Sequence, residues 1–216
     1  MKLPGWKGAI VGTLALLLVG CLTACEDSGG GGGGDVGDVG ANSPEVYAAV
    51  GDSITYGGNG GGAPYPPRLA AITGKTVNNH AVPGEDSGSA VGAVGNILAN
   101  DKPAALLILL GANDVISGVG HNTTVNNLRN IVQQAKANNT VPVVATLTPM
   151  IDGHELWGGS VQALNNLIRD MASSEDARLV DLEAEFGTGE GLLLGDGLHP
   201  NEVGNQVIAE AFADAL

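Results

Sequence analysis

From about position 46 to the C-terminus, short apolar runs alternate with stretches whose apolar residues recur every three or four positions. The short runs, at 46–50, 76–79, 105–110, 141–147 and 178–182, are bounded by Gly, Asn, Asp or Pro and read as strands. The run 105–110 is apolar throughout, as a central strand buried on both faces requires. Helices are expected between the strands. One is opened by Pro66-Pro67 and carries Leu69, Ala70 and Ile72; another covers about 89–99. A third spans about 124–138, with Leu128, Ile131, Val132 and Ala135 on one face; the others cover 161–172 and 202–216. Parallel strands need a long crossover, normally a helix, so this alternation predicts an α/β fold. The expected form is a three-layer α/β/α domain around a central five-stranded parallel sheet.

The chain ahead of that domain has a different character. Residues 1–24 carry a short basic start, Lys2 and Lys7, then an apolar run from Ala9 to Val19 that is short of the roughly 20 residues a membrane-spanning helix needs. They read as a signal peptide. The sequence Leu22-Thr23-Ala24-Cys25 resembles the lipobox of bacterial lipoproteins, which implies cleavage before Cys25 and lipidation of its sulfur. Leu18-Val19-Gly20-Cys21 also fits, but the chain turns polar only after Cys25, at Glu26-Asp27-Ser28. Residues 25–43 include six consecutive glycines and read as a flexible tether, leaving 44–216 as one domain. No Lys-Ser or Lys-Thr follows the glycines and no strand precedes them, so they are not a phosphate-binding loop. The expected location is the bacterial cell envelope, with the lipid anchor as the sole membrane attachment.

Composition narrows the partners. Nine basic against 23 acidic side chains give a net charge of −14, which repels nucleic-acid phosphates and anionic headgroups. No cysteine follows Cys25, so the domain holds neither a disulfide nor a cysteine metal site. His80, His121 and His154 lack ligand-like spacing with one another or with carboxylates. A monomer without metal or cofactor is expected.

Four polar clusters stand at or near strand ends, where open α/β sheets place their ligands. They are Gly51-Asp52-Ser53-Ile54-Thr55, Asn79-His80-Ala81-Val82-Pro83-Gly84, Gly111-Ala112-Asn113-Asp114 and Asp196-Gly197-Leu198-His199-Pro200. A serine hydroxyl attacks a carbonyl only when a base takes its proton, and His199 is the candidate base for Ser53. The imidazole in turn needs a carboxylate to fix its tautomer and stabilise its charge; Asp196, three residues earlier, can reach it across a short turn. Asp52 and Asp114 are read as fixing their own turns. No Gly-x-Ser-x-Gly occurs, which removes the main support for the nucleophile elbow of the α/β-hydrolases.

In order and position, the four clusters resemble the motif blocks of the SGNH hydrolases, or GDSL esterases, from about Val46 to the C-terminus. The resemblance implies a flavodoxin-like fold and a serine esterase working through an acyl-serine intermediate. It also implies an oxyanion hole built from the backbone N–H groups of Ser53 and Gly84 and the side-chain amide of Asn113. Ala81 stands where the second block often has glycine. The family's substrates include short acyl esters, lysophospholipids, acyl thioesters and O-acetylated sugars, and the sequence does not choose among these small acyl-ester classes. Transfer of the acyl group to a sugar, or a non-catalytic lipoprotein binding envelope glycan, would use the same cleft. The loops expected to shape it, 57–67, 115–122 and 152–159, are small and glycine-rich, which suits small acyl groups.

Overall fold

The computed structural model describes residues 36–216; the signal-peptide, lipobox and glycine-run readings, Cys21 and Cys25 included, fall outside them. The strands are β1 (Ser43–Gly51), β2 (Thr76–Asn79), β3 (Pro103–Leu109), β4 (Val141–Ala145) and β5 (Arg178–Val180). They form one sheet in the order β2-β1-β3-β4-β5, with every pairing parallel. The helices are α1 (Ser53–Tyr56), α2 (Tyr65–Thr73), α3 (Ser87–Asp101), α4 (Ala112–Ser117), α5 (His121–Ala137), α6 (Gly158–Ser174), α7 (Leu182–Phe186) and α8 (Glu202–Ala215), with a 3-10 turn at Asp152–Trp157.

The helices sort into two layers. The helices α3, α5 and α6 pack in succession against one another and against the sheet, while α2 packs on α8. Tyr65 of α2 stacks on Phe212 of α8 with ring centroids 5.0 Å apart. Between the layers every residue of β3 is buried, as its unbroken apolar run predicts. Leu110, Leu147 and Leu182 were expected to continue strands; each lies just past a strand end yet stays buried. The apolar pattern registers burial, whereas the ladder stops where the backbone leaves the sheet plane.

Packing begins upstream of position 44, within the stretch read as tether. Val39 is buried in the core and Val36 packs against it. The Asn42 amide donates to the carbonyls of Asn138 and Asn139 and to the Thr140 hydroxyl. Asn42 therefore ties the start of β1 to the turn after α5, while the two valines join the core. Among the described residues no helix is long and apolar enough to cross a membrane.

The strand order turns back on itself between β1 and β3: the chain moves to one side from β1 to β2 and to the other from β3 onward. Loops leaving these two neighbours diverge and open a crevice at their carboxyl ends. Ser53 follows β1 and Asn113 follows β3, so both stand at that crevice.

Candidate active site

The turn after β1 carries Ser53, the expected nucleophile. Asp52 caps α1, accepting the Ile54 N–H at 2.9 Å through Oδ1, which places Ser53 at the first helical position. The Ser53 hydroxyl lies 2.9 Å from His199 Nε2. On the far side of the ring, His199 Nδ1 is 2.6 Å from Asp196 Oδ2. An ionised carboxylate only accepts, so Nδ1 carries the ring proton and Nε2 is left to accept from the serine.

Asp196 is fixed in turn. Its Oδ1 accepts the N–H groups of Leu198 and His199, both at 3.0 Å. Partial burial pushes its carboxyl up, but those N–H groups and the imidazole outweigh the burial and hold it below the usual carboxylate value. The turn is tight: Gly197 has φ +68°, and a Cβ there would sit 1.9 Å from the Ile151 carbonyl oxygen. Gly197 is therefore the residue that lets this loop press against residue 151, whose N–H donates to the Gly197 carbonyl at 3.0 Å.

The Asn113 amide contacts the chain neighbours of the other two expected oxyanion donors. Its Nδ2 donates to the Glu85 carbonyl at 3.0 Å and lies 3.4 Å from Asp52 Oδ2. It thus bridges the residue after Gly84 and the residue before Ser53. Gly84 adopts φ +82° in the turn closed by the Glu85 N–H and the Val82 carbonyl. Among the described residues no backbone carbonyl takes the N–H of Ser53 or of Gly84. Burial, opposed by the Ile54 N–H and the nearby His199, raises the Asp52 carboxyl to a pKa of about 6.

Asp114 does more than fix its own turn. It is 1% exposed and accepts from the Ser87 hydroxyl at 2.5 Å, the Ser87 N–H at 2.9 Å and the Thr124 hydroxyl at 3.1 Å. Asn127 adds a hydrogen bond to the Ser87 hydroxyl at 2.9 Å. The loop carrying Gly84 and the helix carrying Asn113 are thereby joined through a buried carboxylate. Ala81, the departure from the family pattern, keeps its N–H on Asn79 Oδ1 at 3.1 Å, and Asn79 Nδ2 reaches the Thr55 carbonyl at 2.9 Å.

The other histidines fall in separate places. His80 Nε2 donates to Asp101 at 2.6 Å and His121 bonds the Ser160 hydroxyl at 2.6 Å. His154 touches the loop of Asp196 and His199, donating from Nδ1 to the Asp196 carbonyl at 2.7 Å. Sequence reasoning gave His154 no role, since the contact spans 42 positions. Among the described residues no three His, Cys, Asp or Glu side chains group as metal ligands. Of the three loops expected to shape the cleft, 57–62 lines it beside Ser53 and His199. Residues 115–122 belong largely to α4 and α5, and 152–157 forms the 3-10 turn that bears His154.

The sequence profile of the GDSL-like lipase/acylhydrolase family matches residues 49–207, and the chain belongs to that family. Within it, the chain is 28% identical over 126 residues to esterase TesA of Pseudomonas aeruginosa, an alignment covering 57% of this chain and 61% of the esterase. In three dimensions it resembles a G-D-S-L family lipolytic protein of Desulfitobacterium hafniense, with TM-score 0.70, 20% identity, and 80% and 99% of the two chains covered. It also resembles Axe2, an acetylxylan esterase of Geobacillus stearothermophilus, with TM-score 0.66, 20% identity, and 81% and 94% covered. At such identities these two likenesses speak to the fold.

Proposed function

We propose that this protein hydrolyses carboxylic esters of small acyl groups through an acyl-Ser53 intermediate. The observation that carries the reading is the continuous hydrogen-bonded chain from Asp196 through His199 to Ser53, with links of 2.6 and 2.9 Å. As Ser53 Oγ bonds to the carbonyl carbon, its proton passes to His199 Nε2, and the Asp196 carboxylate stabilises the resulting imidazolium. The carbonyl oxygen gains charge facing the N–H groups of Ser53 and Gly84 and the Asn113 amide. Collapse expels the alcohol, which takes the proton from His199. Water then attacks the acyl carbon as His199 accepts its proton, releasing the carboxylic acid and restoring Ser53.

Family membership and the 28% identity to an esterase support this reading. The short, glycine-rich loop at 57–67 beside Ser53 supports small acyl groups over long chains. Hydrolysis of nitrophenyl acetate, butyrate and palmitate by wild type and Ser53→Ala tests it. Turnover that falls with chain length and vanishes in the variant is expected; equal turnover by the two proteins would sink the reading.

We further propose that the protein is lipid-anchored in the cell envelope through Cys25, on the strength of the lipobox-like sequence. Labelled palmitate should enter wild type and not Cys25→Ala; loss only in Cys21→Ala would move the anchor.

A further inference from the structure

One wall of the cleft beside Ser53 and His199 is built almost without side chains: of residues 57–62, all but Asn59 are glycine. Glycine backbone loses the most freedom on being fixed, so such a wall stands only where its anchors hold it. The loop closes on itself where Gly57 meets Pro64, since a Cβ at Gly57 would sit 2.8 Å from the proline ring. Between those ends the anchors are few. Among the described residues, the backbone of 58–63 makes two hydrogen bonds. The Gly61 carbonyl accepts from Asn205 Nδ2 at 3.5 Å, and the Ala63 carbonyl accepts from Arg68 Nε at 2.9 Å.

The bond from Arg68 is the shorter, and its donor is charged, which makes it the stronger. Arg68 stands on α2 with its side chain 18% exposed. The same guanidinium donates through Nη1 to Gln206 Oε1 at 3.1 Å, and its Nη2 lies 3.5 Å from Glu202 Oε1. Gln206 and Glu202 both belong to α8, which begins at Glu202, three residues past His199. A planar fork of N–H donors fixes the direction of each partner. Arg68 therefore joins the end of the glycine wall to the helix that follows the imidazole. On the same side the wall already touches the chain after His199: a Cβ at Gly61 would lie 2.2 Å from the Pro200 carbonyl oxygen.

We infer that Arg68 is a positioning residue for acyl selectivity, latching the 57–63 loop to α8 and so fixing the width of the cleft beside Ser53, which it does not itself line. The inference rests on the reading of the protein as an esterase of small acyl groups and deepens it. With the latch in place, each added methylene of an acyl chain pushes against a fixed backbone. Without it, a wall of glycines gives way, because no side chain holds it in register.

The test compares nitrophenyl acetate with nitrophenyl butyrate, which share a leaving group and differ by two methylenes. Arg68→Met keeps an apolar stem and removes every donor. Its kcat/KM on butyrate should rise about fivefold above wild type, and the acetate-to-butyrate ratio should fall at least as far. A rise in absolute terms is something a merely damaged protein does not show. Arg68→Lys, which keeps the cation and part of the donor set, should give a ratio nearer that of wild type. Should Arg68→Met fail to fold, Glu202→Ala with Gln206→Ala cuts the latch from the side of α8, where Glu202 is 78% exposed, and should shift the ratio the same way. An unchanged ratio would overturn the latch, as would a ratio that falls only because acetate turnover drops. Either result would leave wild-type hydrolysis of nitrophenyl acetate intact. Absence of that hydrolysis would instead count against the esterase reading, and equal wild-type turnover of the two esters against its small-acyl part.

Discussion

The two sides of the cleft are built differently. On the proposed oxyanion side, Asp52 and Asp114 are each 1% exposed, and their hydrogen bonds tie together the loops after β1, β2 and β3. On the side of the proposed base, the Asp196 side chain is 41% exposed and that of His199 19%, on a loop held by its own turns and by residues 151 and 154. Donors meant to meet charge at the moment it forms must be fixed beforehand, and buried, satisfied polar groups are the stiffest way to fix them. The base must take a proton from the serine, give it to a leaving group and then take one from water, so a loop that can adjust suits it. Substitutions on the oxyanion side should therefore affect folding as well as turnover, and those on the base side turnover alone.

The largest effect expected lies on the base side. His199→Ala should lower kcat by about 10⁴-fold or more with the melting temperature nearly unchanged; a matching loss of stability would erase the contrast. Next comes Asn113→Ala, which removes one transition-state donor and should lower kcat by about 10²- to 10³-fold with little change in KM. Asp114→Ala strips the acceptor from two donors on Ser87 and should destabilise the fold by about 3 kcal/mol in urea unfolding, with lower kcat. If stability were unaffected, the buried tie between the Gly84 and Asn113 loops would have no mechanical role.

Asp52 sharpens the contrast through pH. Its pKa rises from 3.8 in the unfolded chain to about 6 in the fold, so its contribution is fully present below the unfolded value and is lost as pH rises through about 6. Asp52→Asn has no such loss and should gain on wild type by up to about 3 kcal/mol between pH 4 and pH 8, read by denaturant unfolding. A difference that stays flat across this range would mean that the carboxyl is not desolvated. Asp196, with its lowered pKa, works in the opposite sense: its contribution is present above the unfolded value and is lost on acidification, equally in both proteins. The smallest effect is expected for His154→Ala, which frees one hydrogen bond to the Asp196 carbonyl and should lower kcat about threefold to tenfold without changing KM.

Much of this architecture was legible in the chain. The five strands follow from short apolar runs, and Ser53, Asn113, Asp196 and His199 stand out because they sit in polar clusters at strand ends. The short elements did not show: α1 has four residues, α4 six and α7 five, too few for a helical period to repeat. Contacts between distant loops were equally hidden. The His154 bond to Asp196, the Asn205 bond to Gly61 and the Asn42 bonds to the turn after α5 join residues 42, 144 and about 100 positions apart, and no local pattern encodes them. The reach of Asp114 to Ser87 belongs with these: a turn residue by type, it proved to be a bridge between loops.

The most direct test of the triad is reaction with a fluorophosphonate, with the modified residue located by mass spectrometry. The adduct should fall on Ser53 alone, form at least a hundredfold more slowly in His199→Ala, and be absent from Ser53→Ala. Folded wild-type protein that gains no adduct, or gains one on another serine, would contradict it.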